Sequence, residues 1–394
     1  MKPKLAFVLG IRPDVIRAAL IIKQLRRYAD SEIVFIWSGQ HYSENLKSIF
    51  FRELDVAPAE IDLGCSGETD AETVASVISR LYPVLRDLRP AAAVFLGDTN
   101  TTTGAIAAAQ LNIPIVHIEG CMRSYDWRMP EEKYRTTIDH LADVIYAYFD
   151  EYKEQGIREG LNPANIVVVG NPIVDILNHY YFDRIEKFQR MATPAFFSER
   201  GIERTQYYLM TCHRRENVHV PGALQAILDL AAASPRTVYF PASYRTQKVI
   251  REMGHSLPPQ LRMVDPIGYE EMLCLMVNAR GVVTDSGTVV EETCVLQVPS
   301  VQMRKSTERP QVYDVRSSVK FDPAEAARYP AATVFRKLEA LWGTRWTHTL
   351  GDGRSSMRIA DDLHRRIIDG DFARHRPEHY HVPIVRSFQD DGLP

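Results

Sequence analysis

No two cysteines in this chain stand at metal-ligand or redox spacing. The five present, Cys65, Cys121, Cys212, Cys274 and Cys294, are widely scattered. That excludes a disulfide framework and a structural zinc, and it points to a reducing cytoplasm. No apolar run approaches the ~18–20 residues that span a bilayer, so no membrane association is expected. The apolar stretch at residues 5–11 is cut short by Arg12 and Asp14, so it reads as a first strand and not as a secretion signal. Neither sign of charge dominates, with 47 Lys and Arg against 50 Asp and Glu. Nucleic acid is therefore not an expected partner, and any phosphate site must be local. Low-complexity tracts and short repeats are also missing, which excludes solenoids and disordered arrays.

What is present is a long alternation of buried-looking strands and amphipathic helices. LAFVLG, IVFIWSG, AAVFLG, PIVHIEG, VIYAYF and NIVVVG are apolar runs of strand length separated by helical patterns. Such an alternation implies a parallel, doubly wound α/β sheet. A second series follows in QYYLMTC, TVYFP, LRMVD, GVVTD and PSVQM. At 394 residues the chain exceeds one typical core, and two domains are expected. The boundaries read as 1–170 and 171–354, with a C-terminal helix at 355–380 packing back on the first domain and a tail at 381–394. The predicted architecture is α/β, two Rossmann-like domains facing a cleft.

Carboxylates and cations fall at the strand ends. In an open parallel sheet these ends line the ligand crevice. VFLGD delivers Asp98, PIVHIEG delivers Glu119, and the turn PEEKYR adds Glu131, Glu132 and Arg135. One such acid is an ordinary loop residue about as often as not, but several after adjacent strands are harder to dismiss. Gly10-Ile11-Arg12-Pro13 follows the first strand and opens a helix that carries Arg17, an arrangement suited to an anion. The second series repeats the device. His213, Arg214 and Arg215 follow one strand. Asp285, Ser286, Gly287 and Thr288 follow another and open a helix bearing Glu291 and Glu292. Exposed amides there suit a phosphate, and an acid just inside the helix suits ribose hydroxyls. Arg309, after a further strand, supplies another cation. A nucleotide diphosphate held by one domain, with its attached group facing the acids of the other, fits the set.

Eight stretches in order carry a family resemblance: GIRPDVIR (10–17), SGQHY (38–42), GDTN (97–100), HIEGCMR (117–123), PEEKYR (130–135), HRREN (213–217), DSGTVVEE (285–292) and TERP (307–310). Together they resemble the non-hydrolysing UDP-N-acetylglucosamine 2-epimerases, nearest the branch that makes UDP-N-acetyl-L-fucosamine. The resemblance implies a glycosyltransferase-B fold, a homodimer and a UDP-sugar substrate in the cleft. It implies C2 epimerisation by anti elimination of UDP to a 2-acetamidoglucal and re-addition, with no metal or other cofactor. It assigns Asp98, Glu119, Glu131 and His213 to catalysis. It assigns Arg12, Arg17, Arg135, Arg215, Ser286, Gly287, Thr288, Glu292 and Arg309 to UDP-sugar binding, and Gln40 and His41 to a second, regulatory UDP-sugar. Three positions depart from the family pattern: Cys121 replaces a glycine, Ser243 a histidine and Arg17 a lysine. A hydrolysing epimerase, a glycosyltransferase of the same fold and a non-catalytic sugar-nucleotide regulator are the alternatives.

Overall fold

The computed structural model describes residues 2–39, 51–254 and 256–372. Two parallel sheets organise it. The first contains β1 (Lys4–Leu9), β2 (Glu32–Trp37), β3 (Ile61–Asp62), β4 (Ala92–Leu96), β5 (Ile115–Ile118), β6 (Val144–Ala147) and β7 (Ile166–Val168), in the order β3-β2-β1-β4-β5-β6-β7. The second contains β8 (Tyr207–Thr211), β9 (Thr237–Pro241), β10 (Leu261–Val264), β11 (Gly281–Thr284), β12 (Ser300–Met303) and β13 (Ser318–Phe321), in the order β10-β9-β8-β11-β12-β13. Both are doubly wound α/β layers, and together they form the glycosyltransferase-B arrangement read from the sequence. Among the described residues no helix is long and apolar enough to cross a membrane.

The near-continuous apolar strands follow from burial on both faces. β1, β4 and β8 are buried along almost their whole length, with Leu5, Phe7, Phe95 and Leu209 fully covered. Helices on each face leave no solvent side to alternate with. The helix Arg12–Leu25 starts with Pro13 in its first turn and buries most of its surface, more than an ordinary surface helix does. The cause is the C-terminal helix Ser355–Ile368, whose Ile359, Ala360, Leu363 and Ile367 are buried at three- and four-residue spacing. It is tied to the first sheet by Tyr146, which donates to Asp362 at 2.8 Å, and by stacking of Tyr28 on His364 at 3.7 Å.

Each sheet has one place where the strand order reverses, between β1 and β4 and between β8 and β11. Ligand crevices of open α/β sheets open at such points. The loops leaving these four strands carry Arg12, Asp98, His213 and Ser286. Topology alone thus gathers a large part of the expected site.

Candidate active site

On the first-sheet side, three segments present acids. Gly97, in the left-handed region at φ +82°, turns the chain after β4 and exposes Asp98. Glu119 follows β5 and is itself left-handed at φ +76°. A non-glycine residue there costs on the order of 1–2 kcal/mol, and such strain gathers at functional sites. Glu131 and Glu132 occupy the first turn of the helix Pro130–Leu141, where the helix dipole favours acids.

These acids have unlike surroundings. Asp98 pairs with Arg135, which also donates to Glu132 at 2.8 Å. Burial alone would raise the Asp98 carboxyl, but Arg135 and Arg214 outweigh it and hold it below its ordinary value. For Glu131 burial wins. Arg214 pulls down less than burial and the Asp98 charge push up, so the carboxyl is raised. Two neighbouring carboxyls driven in opposite directions are what an acid–base pair requires. Glu132 is a structural acid: it accepts from the amides of Ser124 and Tyr125 at 3.0 and 2.8 Å and fixes the loop before the helix.

Glu119 is enclosed by cations and a phenol. Arg17 pairs with one oxygen, Tyr148 donates to it at 2.9 Å, and Arg309 reaches the other at 2.9 Å from the second sheet. Arg309 also pairs with Glu291 at 2.9 Å and with Glu308. The whole knot is buried. Gly287 matters here, because a Cβ at that position would collide with the Arg309 guanidinium.

On the second-sheet side, Asp285 joins the two loops at the β8/β11 reversal. It accepts from the amides of His213 and Arg214 at 3.0 and 2.9 Å and from Asn217 at 3.2 Å, and its second oxygen lies 3.3 Å from His213 Nδ1. The His213 ring stays half exposed toward the crevice. Ser286 caps the helix Gly287–Val295, accepting from the Val289 amide at 3.3 Å. Thr288 is half-buried in the first turn. Arg12 is half-buried at the opposing reversal, and burial lowers its pKa.

Two expected residues have partners within the protein. Arg215 pairs with Asp70, at the start of the helix Asp70–Leu88, and so bridges the two halves of the molecule beside Asn100 of the loop after β4. Glu292 accepts from Tyr269 at 2.8 Å, and burial first, then Glu291, push its carboxyl up to about 7. In the folded state it therefore keeps its proton in the window between about 4.5 and 7, where the unfolded chain has lost it, so this group lowers stability as pH rises through that window. Glu292→Gln should match the parent near pH 4.5 and exceed it above pH 7 by roughly 3 kcal/mol, read as a widening gap in melting temperature. A gap independent of pH would contradict this. Gln40 and His41 lie outside the described residues.

Two departures from the family pattern prove local. Cys121 is left-handed at φ +64°, which accounts for a glycine being favoured there. Its side chain is buried and lies over Gly156, facing the core and not the acids. Cys121→Ala should change turnover by less than about twofold, since it removes one buried sulfur without touching the crevice. A tenfold loss in kcat would place the thiol in the site. Ser243 is consumed as the cap of the helix Tyr244–Glu252, accepting from the Thr246 amide at 3.1 Å.

Sequence reasoning missed the charge hub of the cleft. Glu308 is buried and sits among Arg309, Arg304 at 2.8 Å, Arg214 at 3.6 Å and Arg135 at 3.9 Å. Burial would raise its carboxyl, yet these arginines hold it well below the ordinary range. The only sequence signal was an acid beside an arginine after a strand. Among the described residues no group of three or more His, Cys, Asp or Glu side chains could hold a metal ion.

Known proteins resemble this chain along most of its length. The family model for UDP-N-acetylglucosamine 2-epimerase matches residues 23–364. The UDP-N-acetylglucosamine 2-epimerase of Methanocaldococcus jannaschii is 32% identical, over 90% of this chain and 97% of its own. A UDP-2,3-diacetamido-2,3-dideoxy-D-glucuronate 2-epimerase of Pseudomonas aeruginosa is 29% identical, over 91% and 99%. The crystal structure of the Methanocaldococcus enzyme in complex with UDP-GlcNAc and UDP superposes with a TM-score of 0.82 at 30% identity, covering 92% of this chain and 99% of that one. By the extent of these matches and the strand-end acids they enclose, the chain belongs to the UDP-N-acetylglucosamine 2-epimerase family.

Proposed function

We propose that the chain epimerises C2 of a UDP-2-acetamido sugar, UDP-N-acetylglucosamine or a 6-deoxy relative, by elimination and re-addition of UDP. The observation that carries this reading is the buried ion pair of Asp98 with Arg135, which ties the acid after β4 to the helix whose first turn presents Glu131. Ionised Asp98 takes the C2 proton. The C2–H electrons form the C1–C2 double bond, and the C1–O pair leaves with UDP. Glu131 returns a proton to the opposite face of C2, where the double-bond pair receives it, and the UDP oxygen closes on C1. Glu119 keeps Arg17 and Arg309 in place while the charge on the leaving diphosphate develops. In this reading Arg12, His213 and the amides opening the helix Gly287–Val295 hold the diphosphate, with Arg309 beside them in its knot of carboxylates.

The remaining expectations join this reading as proposals: division into 1–170 and 171–354, Ser286, Gly287, Thr288 and Glu292 around the nucleotide, a homodimer, and a cytoplasmic setting consistent with five buried free thiols. The test is incubation with a panel of UDP-2-acetamido sugars followed by proton and phosphorus NMR. A second UDP-sugar differing only at C2 supports the proposal. Free sugar with UDP would mark a hydrolysing enzyme. Unchanged donors throughout would contradict turnover and leave a binding protein.

A further inference from the structure

One buried group touches all three acid-bearing segments and has no part in the chemistry above. His117 lies in β5 with no exposed surface. Its Nε2 is 2.8 Å from the carbonyl oxygen of Gly97, and its Nδ1 is 2.7 Å from Asp139 Oδ1. A carbonyl oxygen can only accept, so Nε2 carries a proton. Asp139 accepts from Arg123 at 2.7 Å and from the Cys121 amide at 3.0 Å on its other oxygen. Although burial would raise the Asp139 carboxyl, His117 and Arg123 hold it low. Each ring nitrogen of His117 therefore faces an oxygen of a different acid-bearing segment. Glu159 balances Arg123 through contacts of 2.6–3.1 Å.

The positions of these groups matter. Gly97 is the residue before Asp98, and its own amide donates to Ile118 at 3.0 Å. The peptide ahead of Asp98 is therefore held at both ends by β5. Asp139 belongs to the helix that carries Glu131 and Arg135. Its bond to the Cys121 amide grips the left-handed turn that follows Glu119.

We propose that His117 is a positioning residue whose two ring nitrogens clamp the Asp98 turn to the helix that carries Glu131. The separation of the two proton-transferring carboxyls then depends on a side chain that never reaches the substrate. Misplacing a reacting group by about 1 Å can cost on the order of 100-fold in rate. The inference rests on the epimerase reading for its kinetic arm and on geometry alone for its spectroscopic arm.

The experiment has two parts. In the full-length protein labelled with nitrogen-15 histidine, His117 is assigned as the resonance lost in His117→Gln. Its Nε2 should show the shift of a protonated nitrogen that donates a hydrogen bond. A bare Nε2 would overturn the proposal, and this holds whatever the enzyme's activity. In the kinetic part, His117→Gln should lose about 100-fold in kcat with KM and UDP affinity within threefold. Gln can still donate to Gly97, but its oxygen then faces the Asp139 carboxylate. His117→Gln combined with Asp139→Asn restores a donor–acceptor match and should recover at least tenfold of the loss. An active parent whose His117→Gln variant keeps its kcat, or loses only KM, would overturn the positioning role. A parent that fails to epimerise any UDP-2-acetamido sugar would instead overturn the functional reading.

Discussion

Asp98→Asn is expected to lower C2 hydrogen exchange by on the order of 10³-fold, with UDP affinity changed less than about threefold. The substitution keeps the side chain's shape and removes only its charge and its ability to accept a proton. Arg135, its partner, still has Glu132 at 2.8 Å and Glu308 at 3.9 Å, so no buried cation is stranded. The diphosphate donors sit at the β1 and β8/β11 loops and do not depend on this carboxyl. Glu131→Gln should give a loss of the same order by removing the returning acid. The two variants should differ in pH response. Because Asp98 is held low and Glu131 is raised, the parent's turnover falls on the acid side as Asp98 is protonated and on the alkaline side as Glu131 is ionised. Single-turnover exchange and UDP titration calorimetry separate these effects. An Asp98→Asn enzyme exchanging at the parent rate would remove that residue from the chemistry.

The second large effect is on the integrity of the cleft. Arg309→Met should destabilise the protein by about 3–5 kcal/mol, because it strands buried carboxylates rather than deleting a balanced pair. Glu119, Glu291 and Glu308 all lose a partner, and they come from both halves of the molecule. Without the cation their carboxyls rise further in the folded state than in the unfolded one. The variant therefore loses stability as pH rises and approaches the parent as pH falls. Melting temperatures at pH 5 and pH 8 check this, and the deficit should be clearly larger at pH 8. Arg309→Lys preserves charge but not the three-way fork, and it should fall between the parent and Arg309→Met. Equal stability of Arg309→Met and parent at pH 8 would show that the three acids are not charged together.

The route from sequence to site was uneven for physical reasons. The strands were legible because sheets covered on both faces write long apolar runs. The acids at 98 and 119 were legible because parallel topology places strand ends on one rim. The charge hub was not legible. Glu308 owes its role to arginines contributed by three separated segments, and no local pattern encodes which side chains meet across a cleft. The left-handed backbone at Glu119 was invisible for a related reason: it is imposed by the amide contact to Tyr146 and by the surrounding cations, against the residue's own preference. Cys121 differs from the family glycine two residues after Glu119, and the sequence could not tell that its sulfur lies in the core over Gly156. Arg215 and Glu292 were read from position, and the structure gives each a partner, Asp70 and Tyr269, that position could not name.

If the site removes and returns a proton at C2 while the nucleotide departs and rejoins, turnover in deuterated water with a UDP-2-acetamido sugar should leave deuterium at C2 of the product and, with time, of recovered substrate, with UDP attached in both. Epimer formed with its C2 hydrogen retained would rule this out, because no proton would then have passed through Asp98 and Glu131.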